Sequence, residues 1–164
     1  MIFIDFYKKN DLEGRLYDSL TGFPAPHVGM AVYDQYLVLP QSRPSGFYPM
    51  EVVDRMIGRS RWARFQIDPL TFDTSALVLL GTGHVVSHPI RRVGHEICAH
   101  YGLPNPFSNA VTCHGVVTML LNYMGLPLRV STSKELYDEL RSAADLGSFG
   151  GMVEEVLPTD RRHT

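Results

Sequence analysis

Two cysteines occur in this 164-residue chain, and one of them, Cys113, stands at the mouth of an apolar stretch, NAVTCHGVVTMLLNYMGL, that reads as a buried helix. A thiol becomes a nucleophile as its thiolate, and the first turn of a helix and a nearby imidazole are two surroundings that lower its pKa. His27, which opens the strand-like segment HVGMAVYD, is the imidazole placed to meet it. Such a pair attacks carbonyl carbon, the thiol as nucleophile and the imidazole as its base. Taken singly, each has a plainer reading: a small apolar side chain at the edge of the core for Cys113, and an ordinary strand-end histidine for His27.

The other histidines invite a metal reading that their spacing opposes. HEICAH looks like a zinc-protease motif, but His95 and His100 are five apart. On a regular helix they diverge by about 140°, whereas HExxH sets its ligands four apart. His84 and His88 have the spacing of four, yet Pro89 disfavours helical backbone at His88. His95 and Cys98, at i and i+3, could share one site, against surface histidines and a core Cys98. No metal and no cofactor is expected. Glu96 reads as a solvated helix residue, and Asn109 as a cap for the Cys113 helix or an oxyanion donor. The chain has no G-x-S-x-G, no Gly-rich phosphate loop and no dinucleotide fingerprint.

Bringing Cys113 to His27 needs a strand and a helix that meet. Residues 2–7 read as a buried strand, after which Asn10 or Asp11 caps a helix with Leu12, Leu16 and Leu20 on one face, ended by Gly22, Pro24 and Pro26. Residues 27–33 and 36–40 read as a hairpin turning at Asp34 and Gln35. In its first strand Val28, Met30 and Val32 point one way and His27, Gly29 and Ala31 the other. The second, small-residue face is where a helix bearing Cys113 is expected to dock.

PMEVVDRMIG reads as a short helix, RWARFQI and SALVLLG as strands, and residues 84–86 as a continuation of the sheet. Pro89 starts a helix with Ile90, Val93, Ile97 and Tyr101 on one face and Gly102 at its end. The Cys113 helix is apolar nearly all round, as a central element would be, and Gly125 closes it. Thr132 and Glu135 have capping-box spacing before a helix with Leu136, Leu140 and Ala143, and MVEEV reads as a last strand. Interleaved helices, strands and hairpins predict an α+β domain with a mostly antiparallel sheet.

Composition narrows the partners. Hydrophobic residues are 45%, charged residues 20% and the net charge −2, values of a soluble globular protein with no electrostatic reason to bind nucleic acid. Arg55, Arg59, Arg61 and Arg64 read as a solvated basic run. The length suits one domain over residues 1–164, with 158–164 a flexible tail. Two cysteines exclude a disulfide framework, and both are expected to be reduced. MIFIDFYKKND has neither the basic n-region nor the long apolar stretch of a signal peptide, and no run reaches a membrane span. A cytoplasmic or virion-associated protein is expected.

The segments LYDSLTGFPAPHVGMAVYD and HEICAHYGLPNPFSNAVTCHGVVTMLLNYMGLP resemble the circularly permuted branch of the NlpC-type papain-like cysteine peptidases, relatives of the lecithin retinol acyltransferase-like proteins. In that branch the histidine comes first, opening a strand in a segment like SHVGIY, and the cysteine later, opening a helix. The resemblance covers residues 1 to about 145 and implies a permuted papain-like fold, with the sheet packed on a central helix carrying Cys113. It implies His27 as base, Cys113 as nucleophile and a third polar residue that orients the imidazole. Pairing Tyr33 with Tyr36 sets Ser42 opposite His27, while a one-residue slip or bulge brings Gln41 round; Gln41 is the choice here. Ala25 and Pro26 precede the histidine where the family often has serine, and His114 follows the cysteine where serine is frequent.

The implied activity is hydrolysis of an amide bond in a peptide or peptidoglycan-like substrate. Acyl or lipid ester chemistry is the enzymatic alternative. A non-catalytic component of a larger assembly, such as a phage tail, is the alternative of another class.

Overall fold

The computed structural model describes residues 1–9, 11–40, 42–51, 61–69 and 72–156. Six strands, β1 (Ile2–Tyr7), β2 (His27–Val32), β3 (Gln35–Val38), β4 (Gly46–Pro49), β5 (Arg61–Ile67) and β6 (Val153–Val156), form one sheet in the order β4-β3-β2-β1-β5-β6. Every neighbouring pair is antiparallel. Among the described residues five α-helices accompany it: α1 (Leu12–Thr21), α2 (Thr74–Gly81), α3 (Pro89–Tyr101), α4 (Cys113–Tyr123) and α5 (Ser133–Leu146). The protein is α+β, as its interleaved sequence pattern predicts.

Residues opposite one another in an antiparallel ladder share a face. Ile4 opposes Met30 and Phe65, and Phe6 opposes Val28 and Ala63. These residues form one buried cluster with Cys113, Val116, Val117, Leu120 and Leu121 of α4. On the other face Asp5 opposes Gly29 and Arg64, Tyr7 opposes His27, and Ala31 opposes Tyr36. Helix α4 therefore lies on the Val28, Met30 and Val32 face and not, as expected, on the small-residue face. The reason is on the strand itself: the room left by Gly29 is taken by Tyr36, whose hydroxyl a Cβ at that position would strike.

Caps follow local sequence closely. Asp11 caps α1 through Gly14 N–H at 2.9 Å, Thr132 caps α5 through Glu135 N–H at 3.0 Å, and Gly102 ends α3 in the left-handed region. Glu135 in return accepts the Ser131 N–H rather than that of Thr132, so the Thr132 half of the capping box forms as the spacing predicts and the reciprocal bond falls one residue earlier.

Several elements differ from the sequence reading. SALVLLG is helical, started by Asp73, whose carboxylate accepts the Ser75 and Ala76 amides. An apolar run has no period of its own, and the cap decides. Residues 84–86 add no strand to the sheet. The β2–β3 hairpin turns at Tyr33 and Asp34, pairing Val32 with Gln35, because Tyr33 adopts a left-handed φ of 54°. Leu12 of α1 is 82% exposed and Leu16 is exposed too, while Gly14, Tyr17 and Thr21 face inward. Arg61 and Arg64 bind the buried Asp5 rather than water alone. Asn10, Gln41, the helix expected within 49–58 beyond residue 51, Arg55, Arg59 and the tail 158–164 lie outside the described residues.

Candidate active site around Cys113

Cys113 is the first residue of α4, and Thr112, its N-cap, accepts the Gly115 amide at 3.1 Å. The thiol rests 3.7 Å from the Pro26 carbonyl oxygen, and the Val28 N–H is directed to the sulfur as well. In an extended strand the carbonyl before a residue and the amide after it point to the same edge. The sulfur is thus seated against the edge of β2 abreast of His27. Among the described residues β3 pairs with β2 over Met30, Ala31 and Val32, short of His27.

His27 is half-buried, and its ring lies 5.9 Å from that of Tyr7 between centroids, on the sheet face that Tyr7 and Tyr36 share. The structure brings the backbone on both sides of His27 to the thiol while the imidazole keeps company with Tyr7. Gln41, the third sequence candidate, lies outside the described residues. With Val32 paired to Gln35, the register that set Ser42 opposite His27 is not the one adopted.

Cys113 lines a small cleft with a cavity volume of about 30 Å³, bounded also by Glu13, Tyr17, Arg92, Glu96 and His114. Glu96, expected to be solvated, is only 6% exposed. Its Oε1 lies 2.8 Å from His114 Nδ1, and its Oε2 accepts the Tyr17 hydroxyl at 2.9 Å. His114 is 2% exposed, with Nε2 3.2 Å from Thr112 Oγ1 and Nδ1 3.4 Å from Ser133 Oγ. Ser133 Oγ in turn donates to the Pro26 carbonyl at 2.8 Å, the same oxygen on which the thiol rests. Across the cleft Arg92 pairs with Glu13 at 3.2 Å, and Lys9 pairs with Glu13 at 2.6 Å.

Burial decides the state of the thiol. Cys113 is 7% exposed, and loss of water pushes its pKa up. The Val28 amide opposes this, the Glu96 charge adds to it, and Arg92 and the His114 amide oppose it. The expectation that the helix terminus would lower the pKa is overturned, because desolvation of the charged form outweighs the few amides that face it. Cys113 rests as a thiol. Cys98, expected in the core, is half-buried. Burial also raises the pKa of Tyr17, with the Glu96 charge acting in the same direction.

The remaining histidines have other work. His84 Nε2 bonds the Leu80 carbonyl at 2.6 Å, His88 caps α3 through the Ile90 amide, and His95 is held between Ser131 and Asn105. Asn109 accepts from Arg91 and leaves the cap of α4 to Thr112. Among the described residues no group of three or more His, Cys, Asp or Glu is placed to hold a metal ion. Among the same residues no helix is long and apolar enough to cross a membrane.

Glu96, His114, Tyr17 and Arg92 are the cleft residues that sequence reasoning passed over. One signal existed: His114 is a polar residue in the first turn of a helix otherwise apolar nearly all round, and buried polar groups need partners. Comparison with known proteins adds nothing to this geometry: no family model, no curated protein and no solved structure matches the chain.

Proposed function

We propose that this protein is a cysteine hydrolase that cleaves an amide bond, with Cys113 as nucleophile and His27 as base, in the manner of the permuted NlpC-type peptidases it resembles. The observation that carries the reading is the seat of the sulfur, at the first residue of α4 and against the Pro26 carbonyl and Val28 amide that bracket His27. Because the thiol is neutral at rest, its proton passes to His27 as the sulfur attacks, rather than beforehand. The carbon–sulfur bond forms, the amine leaves with the proton from His27, and water then releases the acyl group as a carboxylic acid with the thiol restored. The Val28 and His114 amides that face the sulfur are donors suited to the charge that develops on the substrate oxygen. Gln41 is the candidate for orienting the imidazole, and peptidoglycan peptides are the substrate class that the resemblance suggests.

The second reading, a non-catalytic component of a larger assembly, is favoured by the depth of Cys113 and its raised pKa. Turnover of peptidoglycan fragments and simple amides by wild type, Cys113→Ser and His27→Ala decides between them. A hydrolase loses turnover in both variants, and the double variant loses little more than either, since the pair acts as a unit. Equal silence of all three proteins on amides and acyl esters leaves the structural reading.

A further inference from the structure

The imidazole closest to Cys113 in sequence is not free to take its proton. Both ring nitrogens of His114 are engaged, Nδ1 by Glu96 at 2.8 Å and Nε2 by Thr112 at 3.2 Å. Thr112 Oγ1 already accepts the Gly115 amide, so its hydroxyl proton is available for Nε2, which leaves Nδ1–H to donate to Glu96. The carboxylate is fixed from its other side by the Tyr17 hydroxyl, and its Oε1 also receives Ser133 N–H at 3.4 Å, while the Ser133 hydroxyl proton goes to the Pro26 carbonyl. One polar chain thereby joins α1, α3, α4 and the first residue of α5. Both of its ends bear on the sulfur, through the N-cap of the helix that carries it and through Ser133 on the Pro26 carbonyl beside it.

We propose that His114, held by Glu96, is a positioning residue for the Cys113 thiol, acting through Thr112 and Ser133 and not as proton acceptor. The proposal rests on the reading of Cys113 as the reactive group. A buried carboxylate whose basic partner, among the described residues, is an imidazole also governs the electrostatics of the cleft: while His114 donates to it, its charge is spread over that bond, and without His114 more of that charge faces the sulfur, with Tyr17 and Ser133 left as its donors. The other titratable groups facing the cleft are Glu13 and Tyr17 from α1 and Arg92 from α3, with His95 stacked 6.1 Å from the His114 ring and His27 next along β2.

The test is the rate at which iodoacetamide alkylates Cys113, followed from about pH 6 to 10 in full-length protein carrying Cys98→Ala so that one thiol reports. Glu96→Gln removes the charge and keeps the shape, so alkylation at neutral pH quickens at least threefold. His114→Phe keeps the bulk and strands the charge, so alkylation slows at least threefold. A role in packing alone would loosen the site in both variants and move both rates the same way, which overturns the proposal, as does no change in either. Should His114→Phe fail to fold, His114→Asn decides, because its amide can still donate to Glu96. A rate within twofold of the parent supports positioning, and a fall of tenfold or more marks His114 as the proton acceptor and overturns it. Alkylation needs no substrate, so failure to find a hydrolysed amide and failure of this proposal are separate results.

Discussion

Among the described residues two carboxylates are taken out of water, one on the sheet face away from α4 and one among the helices, and they are compensated differently. Asp5 is wholly buried, receives Arg64 at 2.7 Å and 2.9 Å through two nitrogens, has Arg61 at 3.3 Å and accepts the Tyr7 hydroxyl at 3.2 Å. The Arg64 guanidinium also lies 4.4 Å over the Phe3 ring. A guanidinium keeps its charge at every pH a folded protein meets, so this pairing is permanent. Glu96 has instead an imidazole, the Tyr17 hydroxyl and the Ser133 amide, with no guanidinium among its bonded partners, and it lines a small cleft beside a thiol. The difference teaches where chemistry can sit: the first carboxylate is finished as an interaction, the second is still able to respond.

The largest test of that contrast is Asp5→Ala, which leaves two guanidinium groups on a buried face with no anion. A loss of about 4 kcal/mol in stability is expected in urea unfolding, the scale for breaking a buried ion pair. Glu96→Ala strands neutral donors, Tyr17 and Ser133, and one histidine, so its cost is smaller, about 2 kcal/mol. If Glu96→Ala proved the more damaging of the two, the contrast between a fixed and a responsive carboxylate would be lost.

The alkaline limb of stability sharpens the comparison next. Burial raises the Cys113 pKa above the ordinary 9.0, so the folded protein holds this proton to higher pH than the unfolded chain does. Stability is then complete below pH 9.0 and falls as pH rises through the folded value, at about 1.4 kcal/mol per pH unit. Tyr7, Tyr17 and Tyr36, all raised from 10.0 by burial, join the decline later. In Cys113→Ser, urea unfolding between about pH 8 and 10 should show the first part of this decline removed and the tyrosine part kept. The smallest effect belongs to Thr112→Ser, which keeps the cap hydroxyl of α4 and its bond to His114; a change below about 0.5 kcal/mol is expected, against about 1 kcal/mol for Thr112→Ala.

The frame of the fold was legible because its signals are local. Asp11, Thr132 and Gly102 act where their residue types suggest, and β1, β5, β6, α4 and α5 form where periodicity and composition point. The seat of Cys113 at the opening of α4 was also readable, from a polar turn running into an apolar helix. Two failures were local, the Asp73 cap that makes SALVLLG a helix and the left-handed Tyr33 that shifts the hairpin turn, and the others depend on a distant partner. Leu12 and Leu16 make a regular helical stripe, yet the inward face of α1 is set by Tyr17, whose hydroxyl finds Glu96 79 residues away. Glu96 itself looks like any helix surface residue until His114 and Ser133 arrive beside it. The docking face of α4 could not be seen either, since it turns on Tyr36 filling the space over Gly29 from the next strand.

The Pro26 carbonyl receives the thiol of a residue 87 positions on and the hydroxyl of one 107 positions on. Contacts of such long sequence separation close large loops and form after local helices and hairpins. The sulfur is therefore expected to reach its final seat late in folding, once Ser133 at the start of α5 meets the Pro26 carbonyl. In a refolding experiment, pulses of alkylating reagent should find Cys113 open while most helical signal has already returned, which makes this one thiol a clock for the last assembly of the chain.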